Sequence, residues 1–133
     1  DGLHQKAGSR KVLELHGSVL RNHCTRCGQF YGVERIVNSR GVPRCSCGGI
    51  IKPDVVLYEE SLDEDVMAEA IHYIRQADML IIGGTSLVVY PAAGLVQYYR
   101  GHKLAVINKG GAGSGLGAAV MVDAPIGQVM AQL

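Results

Sequence analysis

The chain has no tryptophan, one phenylalanine and almost no net charge, +1 across 133 residues. The near-neutral balance removes any general electrostatic reason to expect a nucleic acid or a membrane surface as partner. No apolar run is long enough to cross a bilayer as a helix, which needs about 20 residues. Three catalytic signatures are missing as well: a Gly-x-Ser-x-Gly elbow, a P-loop and a His-Glu-x-x-His zinc helix. There is no initiator methionine, and Asp1-Gly-Leu-His4 reads as the middle of a longer polypeptide. What is left is 47% hydrophobic and rich in glycine, enough for one domain, or for one small domain with an insertion. The expectation is a soluble cytoplasmic α/β protein.

Four cysteines stand out against that background. They form two close pairs, Cys24-Thr-Arg-Cys27 and Cys45-Ser-Cys47, with 17 residues between them. Two turns of this kind, joined by a segment long enough to go out and return, suit a tetrahedral zinc site. Four thiolates fill the coordination sphere and leave no position for water, so such a metal staples a fold and hydrolyses nothing. Two disulfides are the competing reading, and they suit small secreted frameworks better than a chain of this size. The second pair is C-x-C, where C-x-x-C is commoner.

Around this module the pattern is α/β. Lys11–Leu15 alternates apolar and polar residues as a strand does, and His16-Gly17-Ser18 would follow at its carboxyl end. Residues 21–52 make up the zinc module, and Pro53–Tyr58 leaves it in extended form. Ser61-Leu-Asp-Glu64 is a capping-box sequence for an amphipathic helix reaching about Ala77. Met79–Ile82, Leu104–Ile107 and Ala119–Val122 read as short buried strands of a parallel sheet. A helix between Pro91 and Gly101 and another over Ile126–Leu133 complete the order. This is the back half of a doubly wound sheet.

Ligands of open α/β sheets bind at the carboxyl ends of the strands. That rule selects His16-Gly-Ser, Gly83-Gly-Thr-Ser86 and Asn108-Lys109. Gly113-Ser-Gly-Leu-Gly-Ala118 matches the G-x-G-x-x-A dinucleotide fingerprint in letters only. It runs into a strand, not a helix, and Asp123 comes too soon. Of the five histidines, His72 and His102 read as surface residues and His4 as a loop residue. His23 adjoins a cysteine set already complete. His16 sits at the ligand rim before a glycine, where an imidazole can act as a general base. Arg21, Arg26, Arg35, Arg40 and Arg44 leave a zinc-ribbon module binding nucleic acid or protein as the alternative.

Asp1-Gly-Leu-His-Gln5, Glu14-Leu-His-Gly-Ser18, the two cysteine pairs, Lys52-Pro-Asp-Val-Val-Leu-Tyr-Glu-Glu60, Gly84-Thr-Ser-Leu87 and Ile107-Asn108 together resemble, in order, the sirtuin family of NAD-dependent protein deacylases. The likeness covers nearly the whole chain and weakens after Lys109. It implies a partial Rossmann-like NAD-binding domain over residues 1–20 and 53–133, with the zinc module inserted. It implies His16 as the catalytic base and Cys24, Cys27, Cys45 and Cys47 as ligands of one structural zinc. Asp1, Gly84, Thr85, Ser86, Asn108, Asp123 and Ala124 would meet NAD. Val56 and Tyr58 would wall an acyl-lysine tunnel. Val56, Leu57 and Tyr58 on one side, and Val88 and Val89 on the other, would flank a substrate peptide added as a strand.

The implied reaction starts with attack of the acyl oxygen on C1′ of the nicotinamide ribose, expelling nicotinamide. His16 then takes a ribose hydroxyl proton, that oxygen attacks the resulting imidate, and water releases lysine and an O-acyl-ADP-ribose. Mono-ADP-ribosyl transfer is an alternative outcome of the same chemistry. A Gly-Ala-Gly-x-Ser phosphate loop, an Asp-Phe-Arg cofactor loop and the Gln-Asn-Ile preceding Asp1 are all absent, so the chain alone is expected to be inactive. Tyr58-Glu59-Glu60 stands where the family more often has Phe-Gly-Glu.

Overall fold

The computed structural model describes residues 1–111, 113 and 115–132. Contacts divide the chain into two compact units, Asp1–Val66 and Met67–Leu133.

The first unit is built on an antiparallel sheet of three strands: β1 (Gly17–Cys24), β2 (Phe30–Gly32) and β3 (Ile51–Val55), in the order β2-β1-β3. Two short helices accompany it, α1 (Leu3–Lys6) and α2 (Val33–Val37). Its buried apolar cluster is small: Cys24, Cys45 and Ile51, with Tyr31, Ile36 and Cys47 against them. So few side chains cannot hold a unit of this size by hydrophobic burial alone, and half of them are cysteines.

The strand expected over Lys11–Leu15 is not formed. Residues 11–14 have no regular structure, Leu15 and His16 form a turn, and the strand starts at Gly17. His16 therefore precedes a strand instead of ending one. Gly17 explains the shape of the turn. Its φ is +74°, and a Cβ there would collide with the backbone carbonyl of Asp54. β1 also departs from simple alternation. Its pairing with β3 shifts between Ser18 and Asn22, and these two polar residues are buried, Asn22 completely. The Asn22 amide donates to the Val19 carbonyl at 3.2 Å, which satisfies a backbone acceptor inside the bulge.

The second unit carries a parallel sheet, β4 (Leu80–Gly83), β5 (Leu104–Ile107) and β6 (Val120–Val122), in that order. Leu80, Ile82, Leu104 and Val106 share one face and form its core with Leu87, Val96, Tyr99, Leu116 and Ala118. Burial on both faces was the expectation for β4, and only this face meets it, because Ile81 on the opposite face is 51% exposed. Ile126, at the start of α4 (Ile126–Met130), packs over Gly83 in space that a Cβ would take. Leu133, the expected end of this last helix, and Ser114 of the glycine-rich segment lie outside the described residues.

α3 (Glu64–Gln76) forms as its apolar stripe predicts, but the cap differs. The Asp63 carboxylate accepts the N–H groups of Asp65 and Val66, both at 3.0 Å. Asp63, not Ser61, is thus the residue that satisfies the free donors of the first turn. Between Pro91 and Gly101 the chain winds as a 3₁₀ helix over Ala92–Tyr98.

Candidate metal centre and strand-end rim

The two cysteine turns bring four sulfurs together, all within 4.8 Å of one another. Cys24 and Cys47 Sγ are 3.5 Å apart, and Cys27 and Cys45 Sγ 3.6 Å. Four sulfurs at about 2.3 Å from a tetrahedral Zn²⁺ stand about 3.8 Å from each other, so the set has the right size for zinc. Local hydrogen bonds shape each turn. Cys24 N–H bonds the Gln29 carbonyl at 2.9 Å, Gly28 N–H the Cys24 carbonyl at 3.0 Å, and Cys45 N–H the Gly49 carbonyl at 2.9 Å.

Among themselves the sulfurs compete for protons. The Tyr31 hydroxyl, with the Cys47 N–H behind it, draws Cys45 down to about 5. The Cys27 N–H likewise lowers Cys24. At Cys27 the Gln29 N–H favours the thiolate, but the three neighbouring thiols together outweigh it and push the group up to about 12. Such a cluster is short of positive charge, and a divalent cation at its centre supplies that charge and releases the remaining protons.

Gly49 is a residue of this centre that the cysteine pattern did not single out. A Cβ there would stand 2.6 Å from Cys24 Sγ and 2.8 Å from Arg26 Cβ, so the second turn can close on the first only through glycine. Three of the module's arginines, all exposed, bond its own backbone carbonyls. Arg26 donates to the Cys47 carbonyl at 2.8 Å, Arg35 to the Arg44 carbonyl at 2.8 Å and Arg44 to the Gly48 carbonyl at 3.1 Å. Arg21 pairs with Glu14 at 2.7 Å. His23 lies outside the sulfur set, with Nδ1 2.8 Å from Asp54 Oδ1.

His16 is exposed in its turn. Its carbonyl accepts the Val56 N–H at 3.0 Å, which ties the turn to the segment after β3. That segment is held by Glu60, whose carboxylate accepts the Leu57 N–H at 2.9 Å and Lys52 Nζ at 3.0 Å. The Leu57 N–H and then Lys52 hold the Glu60 carboxyl below its ordinary range. The clip leaves Leu57 and Tyr58 exposed and places Glu59 at φ +70°. Asp1 is exposed and its Oδ1 accepts the Leu3 N–H at 2.9 Å.

In the second unit the carboxyl ends of β4, β5 and β6 form one rim. Gly84, at φ +64°, donates its N–H to the Ile107 carbonyl at 3.0 Å. Thr85 Oγ1 accepts the Leu87 N–H at 3.2 Å, Ser86 is exposed, and Leu87 takes φ +56°. Asn108 donates its N–H to the Val122 carbonyl at 3.1 Å. Asp123, followed by half-buried Ala124, accepts the Gly110 N–H at 2.7 Å. Glycine, hydroxyl, amide and carboxylate groups thus share the sheet edge at which ligands of open α/β folds bind. Val88 and Val89 follow as exposed apolar residues. The second unit also has a cavity of about 330 Å³ lined by residues that include Val96, Tyr99, His102 and Leu116.

A four-thiol set of the right size for zinc and a parallel sheet with a polar strand-end rim, in one chain, define an α/β protein with a candidate structural metal centre. The chain belongs to the Sir2 family, whose model matches residues 1–91. It is 57% identical, over its whole length, to an NAD-dependent protein deacetylase of Clostridium perfringens, of which it covers 55%. It is 51% identical to the protein of the same description from Clostridium acetobutylicum, covering 98% of this chain and 54% of that one. The chain therefore spans about half the length of the curated relatives it matches. Among solved structures, Sir2Tm bound to a propionylated peptide superposes with a TM-score of 0.89 at 37% identity, over 98% of this chain and 58% of that one. A Sir2–p53 peptide–NAD⁺ structure gives 0.87 at 37% identity, with 98% and 57% covered. Among the described residues, no helix is long and apolar enough to cross a membrane.

Proposed function

We propose that the chain forms part of an NAD-dependent protein lysine deacylase, which converts acyl-lysine and NAD to lysine, nicotinamide and an O-acyl-ADP-ribose. The observation that carries this reading is the 57% identity, over the full chain, to a relative described as an NAD-dependent protein deacetylase. In this reading residues 21–52 are the zinc module, and residues 1–20 and 53–133 belong to the NAD-binding part. NAD supplies the electrophilic C1′ and the ribose hydroxyls.

Thr85 and Ser86 offer hydroxyls and Asn108 a side-chain amide to ribose and phosphate oxygens, and Gly84, with no side chain, lets them approach closely. Asp123 and Ala124 serve the adenine end, and Asp1 the nicotinamide end. His16 is the base that accepts a ribose hydroxyl proton, which requires a neutral imidazole. Val56, Leu57 and Tyr58, and separately Val88 and Val89, are the segments that meet the acylated peptide, through a main-chain mode that reads little side-chain sequence. Cys24, Cys27, Cys45 and Cys47 hold one zinc, which joins the two turns and has no position left for substrate. A zinc held by four unpaired cysteines, none of them in a disulfide, suits a reducing compartment such as the cytoplasm. A nucleic-acid module is the weaker reading, because Arg26, Arg35 and Arg44 spend donors on the module's own carbonyls.

The test joins the chain to the portion of the Clostridium perfringens relative that it does not match. The joined protein is incubated with NAD and an acetyl-lysine peptide, and the products are weighed by mass spectrometry. Deacetylated peptide with O-acetyl-ADP-ribose supports the reading. ADP-ribose attached to the peptide would replace it with transfer, and an unchanged peptide would refute it.

A further inference from the structure

The four sulfurs of the zinc centre do not have equal surroundings. Cys24 Sγ receives a backbone N–H, from Arg26 at 3.4 Å. Cys45 Sγ receives a side-chain hydroxyl, that of Tyr31 at 3.0 Å, with Ser46 Oγ farther off at 3.8 Å. Oxygen to sulfur at 3.0 Å is a short contact for a neutral donor, since sulfur acceptors are large and diffuse.

The fold aims Tyr31 at this sulfur. β2 pairs Tyr31 with Asn22 of β1, and successive residues of a strand face opposite ways. Phe30 accordingly turns outward against the edge of His23, with ring centroids 5.3 Å apart. Tyr31 turns inward and packs on the cluster of Cys24, Cys45 and Ile51. Phenylalanine would fill that space equally well. A hydroxyl on an inward ring needs a partner, and the partner here is a metal ligand.

Four thiolates around Zn²⁺ leave the centre with surplus negative charge, and donors around it disperse that charge and set ligand strength. We propose that Tyr31 is a positioning residue of the zinc centre, whose hydroxyl holds the Cys45 thiolate and tempers it. The bond lowers the energy of that sulfur's lone pairs, making Cys45 less nucleophilic than its burial alone would make it. Ligand exchange and oxidative or alkylating attack then begin at the other three sulfurs.

The protein loaded with Co²⁺ in place of zinc provides the test, since its sulfur-to-metal charge-transfer band reports lone-pair energy directly. Tyr31→Phe is expected to move that band to lower energy and to speed zinc transfer to a chelator about tenfold, the lower end of the cost of losing such a partner. In the zinc form, alkylation resolved by mass spectrometry should quicken at Cys45 relative to Cys47 of the same molecule. A residue that merely packs would shift stability and leave both the band and the Cys45-to-Cys47 ratio alone, and that result overturns the proposal. Should Tyr31→Phe fail to fold, 3-fluorotyrosine in the otherwise unaltered protein decides. Its more acidic hydroxyl moves the band to higher energy if the bond to sulfur matters, and an unmoved band refutes it.

Discussion

Replacing Gly17 by alanine tests the account of the His16 turn. Two costs add at this position. An L-residue at φ +74° is strained by about 1 kcal/mol. The new Cβ also meets the Asp54 carbonyl, and that carbonyl is backbone of β3. Asp54 pairs with Ser18 and Val55 with Gly17, so the carbonyl cannot retreat without loosening the sheet. Overpacking of this kind costs about 1–3 kcal/mol, giving about 2–4 kcal/mol in total. Gly41 is the matched control, with φ +72° and no atom within 4 Å of a built Cβ. Gly41→Ala should therefore cost only the strain, about 1 kcal/mol. The gain from a stiffer unfolded chain is common to both variants and cancels in the comparison. Urea unfolding of the zinc-loaded protein reads the difference. Amide exchange at Val56, whose N–H bonds the His16 carbonyl, reads where the damage falls. If Gly17→Ala is within about 0.5 kcal/mol of Gly41→Ala, the close approach to Asp54 does not set the turn.

Glu59→Gly should stabilise the segment after β3 by up to about 1 kcal/mol, because Glu59 sits at φ +70°, where glycine is unstrained; a thermal melt showing a loss would contradict this. Asp63→Ala should lower stability by about 1 kcal/mol through loss of the α3 cap, while Ser61→Ala should change it little, as paired unfolding curves would show. The Glu60 clip should respond to acid. Its carboxyl is held below the ordinary range by the Leu57 N–H and Lys52, so its contribution is complete above the unfolded value of about 4.3. That contribution is lost as pH falls through the lowered folded value, and Glu60→Gln should abolish this acid limb in amide exchange measured at Leu57.

Short runs with strong local chemistry were the legible part of this sequence. Leu104–Ile107 is a strand with the bounds its apolar run gives, and the paired cysteines form one cluster because a metal site dictates its own spacing. Lys11–Leu15 misled because five alternating residues fit an irregular segment as readily as a strand. The real strand, Gly17–Cys24, buries Ser18 and Asn22 around a bulge, and so presents no alternation to read. The α3 cap went to Asp63 because two consecutive N–H groups fall within reach of its carboxylate, and spacing alone does not reveal that. Tyr31 and Gly49 are invisible in the same way, since their roles depend on contacts between the two halves of the zinc module.

The most direct measurement for the central claim is steady-state nicotinamide release from NAD by the joined protein, with and without an acetyl-lysine peptide, beside His16→Ala. The account predicts release that depends on peptide and falls by about 10²–10⁴-fold in the variant, the usual worth of a positioned general base. Release that ignores the peptide, or that survives His16→Ala undiminished, would contradict it.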